Sequence, residues 1–149
     1  MKITTEKAKV SGWGKTSLTD RSAFNDHQVA LIRFVKWEHC RQFYSRRTVK
    51  ITENMVCAGG KKRDACEGDS GGPLTCQQIL SNETYLCGIV SWGDKRCGTR
   101  GWPGVYTDVS NYYTWIRKYV RIWDRRIPSN SPVFFISIQS HMYNAVWVY

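Results

Sequence analysis

Between Asp64 and Pro73 the chain reads Asp64-Ala65-Cys66-Glu67-Gly68-Asp69-Ser70-Gly71-Gly72-Pro73, and no regular element can hold it. Glycine loses more backbone freedom on ordering than any other residue, and proline supplies no N–H. The run must therefore turn sharply. Glycines at 68, 71 and 72 tolerate positive φ and let another chain come close. A serine that attacks a carbonyl needs such a turn, with N–H groups held toward the oxyanion. Taken alone, the run also fits an ordinary tight loop.

Six cysteines stand at 40, 57, 66, 76, 87 and 97. None forms a Cys-x-x-Cys pair, so neither a metal nor a cofactor is expected. An even count without such pairs reads as a disulfide framework built in an oxidising compartment. Met1 to Lys7 lacks the apolar core of a secretory leader. A piece of a longer secreted precursor reconciles the two observations. No stretch approaches the ~18 apolar residues of a membrane span.

Hydrophobic residues make up 42% of the chain, enough for a packed core. Short Val, Ile, Tyr and Trp runs broken by Gly and Pro favour strands. Lys9 to Gly14 reads as a strand entering a glycine turn, followed by a polar loop to about His27. Gln28 to Trp37 alternates as a half-buried strand does. Glu38 to Arg46 is short and helical or irregular, and Met55 to Gly59 is another strand. Pro73–Cys76 and Tyr85–Trp92 form a hairpin around a polar tip, and Gly104 to Val109 supplies a last strand. Asn111 to Trp123 has helical spacing and closes the domain. The expected domain is therefore 1–123. Residues 124–149 form a tail with sticky runs at 133–138 and 145–149. It is read as a poorly ordered, non-native or alternatively spliced segment, or else as one extra strand.

The net charge is +10. Its basic residues fall in scattered groups, among them Arg46-Arg47, Lys61-Lys62-Arg63 and Arg117-Lys118. No nucleic-acid motif accompanies them, so nucleic acid is not expected. A solvated surface is the simpler account, and a face for polyanions such as heparin is the alternative.

Five segments occur together and in order: Val10–Gly14, Met55–Gly59, Asp64–Pro73, Gly88–Gly93 and Pro103–Val109. They resemble the trypsin/chymotrypsin family of serine proteases over roughly Lys9 to Trp123. The resemblance implies an all-β fold: a single six-stranded antiparallel Greek-key barrel, the C-terminal one of that family's two, with a C-terminal helix. It also implies a serine endopeptidase acting on polypeptides, secreted, with Ser70 as nucleophile. The N–H groups of Gly68 and Ser70 would form the oxyanion hole. Asp64 would lie at the base of a pocket for Arg or Lys, since charge-assisted pairing is strongest out of water. Gly93 and Gly104 would line its walls, and Ser91, Trp92 and Gly93 would pair with substrate backbone.

Asp69 corresponds to the zymogen switch, which takes the ammonium released on activation. Without that partner a buried carboxylate is costly, so a zymogen-like, unformed loop around Gly68 is expected. Pro103 stands where sodium-activated relatives carry an aromatic residue, so sodium control is not expected. Cys40–Cys57 and Cys66–Cys97 match family disulfides. Ala8 sits where the family often places the partner of Cys76, which leaves Cys87 as its substitute. Asn82-Glu83-Thr84 is a glycosylation sequon on the hairpin tip.

The same resemblance shows what is missing. Serine catalysis needs an imidazole base and a carboxylate to orient it. In the family both precede the segment at Ser11, and only ten residues do so here. His27, His39 and His141 lack the expected context of that base. The chain alone should be nearly inert, as half of an active enzyme. The alternative is a truncated, non-catalytic homologue acting as a binding or decoy protein.

Overall fold

A computed structural model describes residues 7–16, 26–47, 49–78, 83–94 and 96–119. Among the described residues six strands are formed: β1 (Lys7–Gly12), β2 (Gln28–Val35), β3 (Met55–Ala58), β4 (Pro73–Gln77), β5 (Thr84–Trp92) and β6 (Gly104–Asp108). They close into a barrel in the order β1-β2-β3-β6-β5-β4. Every pairing is antiparallel. The β2–β3 seam is the shortest, with Phe34 and Val35 alone paired to β3.

Alternation along the strands builds the interior. On β1, Ala8 and Val10 are buried while Lys7 and Lys9 face water. They join Ile32, Leu74, Val90 and Tyr106 in the barrel core. Burying a side chain such as Leu74 fully is worth roughly 1.5–3 kcal/mol. A second cluster lies outside the barrel wall, under helix α1 (Trp37–Ser45). Successive strand residues point to opposite faces, so Cys57 and Val105 join this outer cluster while Ala58 and Tyr106 point inward. Cys40 and Tyr44, one helical turn apart, are the buried face of α1. The Cys40–Cys57 disulfide ties that helix to β3.

At the other end of the chain the closing helix, expected from Asn111, begins later. A 3-10 turn (Val109–Tyr112) leads into α2 (Tyr113–Tyr119). Asp108 begins the turn by accepting from the Ser110 N–H and hydroxyl, which satisfies a donor that helical bonds leave free. Residues 120–123, the 124–149 tail, His141 and the Asn82 sequon lie outside the described residues.

Strand β5 is irregular at two points. Leu74 pairs with Gly88 but Thr75 pairs with Leu86, so Cys87 is an extra residue. The bulge keeps Cys87 inward beside Cys76, and the two form a disulfide. Ala8 is the strand partner of Cys76 from the other side. Farther along, Val90 pairs with Tyr106 and Trp92 with Val105, which makes Ser91 a second bulge.

The connection from β3 to β4 joins strands on opposite sides of the ring. Residues 59–72 must therefore cross one whole end of the barrel. That crossing contains Asp64, Asp69 and Ser70.

Candidate active site

The crossing is pinned at several points by main-chain bonds. Gly71 N donates to Val90 O and Val90 N to Gly72 O, each at 2.9 Å, which fixes the turn after Ser70 to β5. Asp69 N donates to Cys66 O at 3.0 Å. Ser70 itself is exposed, and among the described residues nothing hydrogen-bonds its hydroxyl.

The loop around Gly68 is formed, contrary to the zymogen-like expectation. Asp69 finds substitutes for an ammonium: Oδ1 accepts from Gly14 N at 2.8 Å and Oδ2 from Cys66 N at 2.9 Å. A carboxylate with two N–H donors no longer carries the cost of an unpaired buried charge. Gly14 is required for this approach, because a Cβ there would lie 2.5 Å from the Asp69 carboxyl carbon. Next to it, Lys15 N donates to Glu67 O at 2.9 Å. In a trans peptide C=O and N–H point oppositely, so the Gly68 N–H is turned away from Lys15. Gly68 has φ +98°, a conformation glycine adopts at little cost.

Asp64 lies deeper. Its Oδ1 accepts from Ala65 N at 2.9 Å and the Tyr106 hydroxyl at 3.2 Å, and its Oδ2 from Gly60 N at 3.1 Å and Gly104 N at 3.2 Å. Burial pushes its carboxyl up to about 6, against the pull of those four bonds. Burial, and then the neighbouring Asp64 charge, hold the Tyr106 hydroxyl well above its usual range. The same two causes, in the same order, push Tyr44 up to about 12.

Asp64 and Ser70 line one cleft of about 390 Å³, together with Ser91, Trp92, Gly93 and Gly104. A Cβ on Gly93 would stand 3.5 Å from Gly104 Cα, and one on Gly104 would reach within 2.6 Å of Asp64 Oδ1. The two glycines thus keep the passage to the carboxylate open. Asp69 faces a second cavity of about 360 Å³ instead. The Cys66–Cys97 disulfide borders both spaces. His27 packs at a tilt against Trp13 at 4.5 Å between ring centres, and His39 is exposed on α1. Neither lines the cleft.

Three of the five segments, Asp64–Pro73, Gly88–Gly93 and Pro103–Val109, converge on this cleft. The family model for trypsin matches residues 4–116. The chain belongs to the trypsin family. CLIP domain-containing serine protease HP8 of Bombyx mori is 43% identical over 109 residues, 72% of this chain and 29% of that protein. Transmembrane protease serine 7 of Rattus norvegicus is 44% identical over 117 residues, 77% of this chain but 13% of the relative. The solved structure of neuropsin, a serine protease expressed in the limbic system of mouse brain, superposes with a TM-score of 0.66 at 40% identity. The match covers 76% of this chain and 47% of neuropsin. This trypsin-family chain therefore spans under a third of the length of those curated relatives.

Sequence reasoning did not find Tyr106, Tyr44, Trp102, Arg47 or Asp94 at the cleft or behind it. Tyr106 had a usable signal. On a strand whose Val105 faces outward, the next side chain must face in, and a buried phenol needs a partner.

Proposed function

We propose that this chain carries the nucleophile and the specificity pocket of a secreted endopeptidase that cleaves after Arg or Lys. One observation carries the reading: a carboxylate raised by burial and an exposed serine line the same cleft. A guanidinium or ammonium entering the cleft would exchange water for Asp64, and charge-assisted bonds gain strength away from solvent. The scissile carbonyl would then lie over Ser70, with the Gly68 and Ser70 N–H groups as donors to the developing oxyanion. Substrate backbone would pair along Ser91–Gly93, which the second bulge displaces from the regular ladder.

Attack by Ser70 Oγ on the carbonyl carbon requires a base to take the hydroxyl proton. No histidine among the described residues stands in reach of it. Loss of the base alone costs on the order of 10⁶ in turnover in an enzyme of unrelated fold with the same triad. A polypeptide of these residues alone is therefore a binder of cationic side chains and a very poor catalyst. Asp69 acts as the activation switch, since its carboxylate faces the second cavity and could receive an ammonium there. The three disulfides suit an oxidising, extracellular setting. In that setting Asn82 is a glycosylation candidate and the basic surface a site for polyanions.

The test uses two probes on the purified chain. p-Aminobenzamidine should bind and be lost in Asp64→Asn, while a fluorophosphonate should label Ser70 negligibly. Probe binding that survives Asp64→Asn would sink the specificity reading. Rapid labelling, abolished by Ser70→Ala, would sink the claim of inactivity.

A further inference from the structure

Asp94, Arg96, Cys97, Gly98 and Trp102 line one side of the cleft, and the first and last of them meet the same side chain. The Arg47 guanidinium, just beyond α1, lies 2.7 Å from Asp94 Oδ2 and 4.0 Å above the Trp102 ring. The Asp94 side chain is 4% exposed. Its charge is held in the ionised form first by the Arg96 N–H, at 2.9 Å, and further by Arg47. The Arg96 side chain is a weaker partner at 3.8 Å.

We infer that Arg47 is a positioning residue for the specificity pocket, a clamp that closes the 94–102 loop across its two ends. The inference rests on the arginine-pocket reading. Away from its ends, the loop is held by Cys97 to Cys66, by Lys62 N to Gly98 O and by Gly101 N to Gly60 O. All of these lie on the side of the 59–72 crossing. Arg47 ties both Asp94 and Trp102 to the helix side. Behind it, Tyr44 packs edge-on against both Trp92 and Trp102 and donates to Pro103 O. Arg47 thus completes a wall in which the substrate edge and the far rim share one support. A planar cation suits both partners, since it can pair with a carboxylate while stacking on an indole.

The experiment compares wild type, Arg47→Met, Arg47→Lys and Arg47→Met/Asp94→Asn by amide exchange over residues 96–101 and by p-aminobenzamidine affinity. Arg47→Met removes the cation that pairs with Asp94 and covers Trp102, so exchange in that loop should quicken and the probe should bind about tenfold more weakly. Arg47→Lys should lie between, keeping the charge but losing the flat stack. Asp94→Asn added to Arg47→Met should recover part of the affinity, because the charge left without its cation is gone. Unchanged exchange and affinity in Arg47→Met would overturn the clamp, as would a double variant no better than the single one. Should Arg47→Met fail to fold, wild-type behaviour in Arg47→Lys at both readouts would overturn the need for a planar cation. If wild type itself ignores the probe, the arginine-pocket reading falls, and loop exchange still decides the clamp.

Discussion

The Tyr106 hydroxyl donates to Asp64 Oδ1 across 3.2 Å, and both residues line the cleft. This bond comes from the inward face of β6, three strands round the ring from β1, and it favours the ionised carboxylate that a cationic ligand needs. Removing it by Tyr106→Phe should raise the Asp64 carboxyl further and weaken p-aminobenzamidine binding near pH 7 by about 3- to 10-fold, the net worth of one ordinary hydrogen bond. Titrating the affinity of both forms between pH 5 and 8 checks it. An unshifted midpoint would count against the bond's role.

Asp64 also makes the empty fold pH-sensitive. Its carboxyl sits at about 6 in the fold and at about 3.9 in an unfolded chain. Between those values the folded state holds the extra proton, so stability falls as pH rises from about 4 to about 6 and then levels. Asp64→Asn removes this dependence. Its melting temperature, relative to wild type, should be higher at pH 8 than at pH 4. Ligand affinity should run the other way, falling roughly tenfold per pH unit well below 6.

Gly104 leaves space that a side chain cannot share. A Cβ there would lie 2.6 Å from Asp64 Oδ1 and 3.2 Å from the Tyr106 ring and hydroxyl. Gly104→Ala should abolish measurable probe binding and cost about 1–3 kcal/mol of stability through overpacking. Calorimetry with and without the probe separates the two effects. Retained affinity would mean that the wall yields more easily than its packing suggests.

The Cys76–Cys87 bridge should be removable without loss of the barrel. Its loop of 11 residues is short, so Cys76→Ala/Cys87→Ala should cost about 2–3 kcal/mol on the loop-entropy account. Because Ala8 is the strand partner of Cys76, Ala8→Cys in a Cys87→Ala background should form an alternative bridge. Non-reducing peptide mapping would detect it, and free thiols at 8 and 76 would refute it.

Much of this was legible in the order of residues. Alternation over Gln28–Val35 and the paired runs at 73–77 and 84–92 gave strands within a residue or two of their ends, because period-2 burial is a local property. Glycines around Ser70 announced a turn for the same reason. The closing helix was started too early: Asn111 and Tyr112 belong to a 3-10 turn, and spacing alone does not separate such a turn from the α-helix it leads into.

The chain's own order of residues determined the barrel strands, the turn that presents Ser70 and the family to which both belong. These depend on local backbone freedom and on patterns that repeat every second residue. Only the folded structure decided that Gly14 and Cys66 satisfy Asp69, that Tyr106 reaches Asp64, and that Arg47 spans Asp94 and Trp102. Each of those contacts joins elements whose separation in sequence carries no record of their distance in space. A buried charge takes whatever donor packing brings to it, and packing is settled by the whole barrel at once.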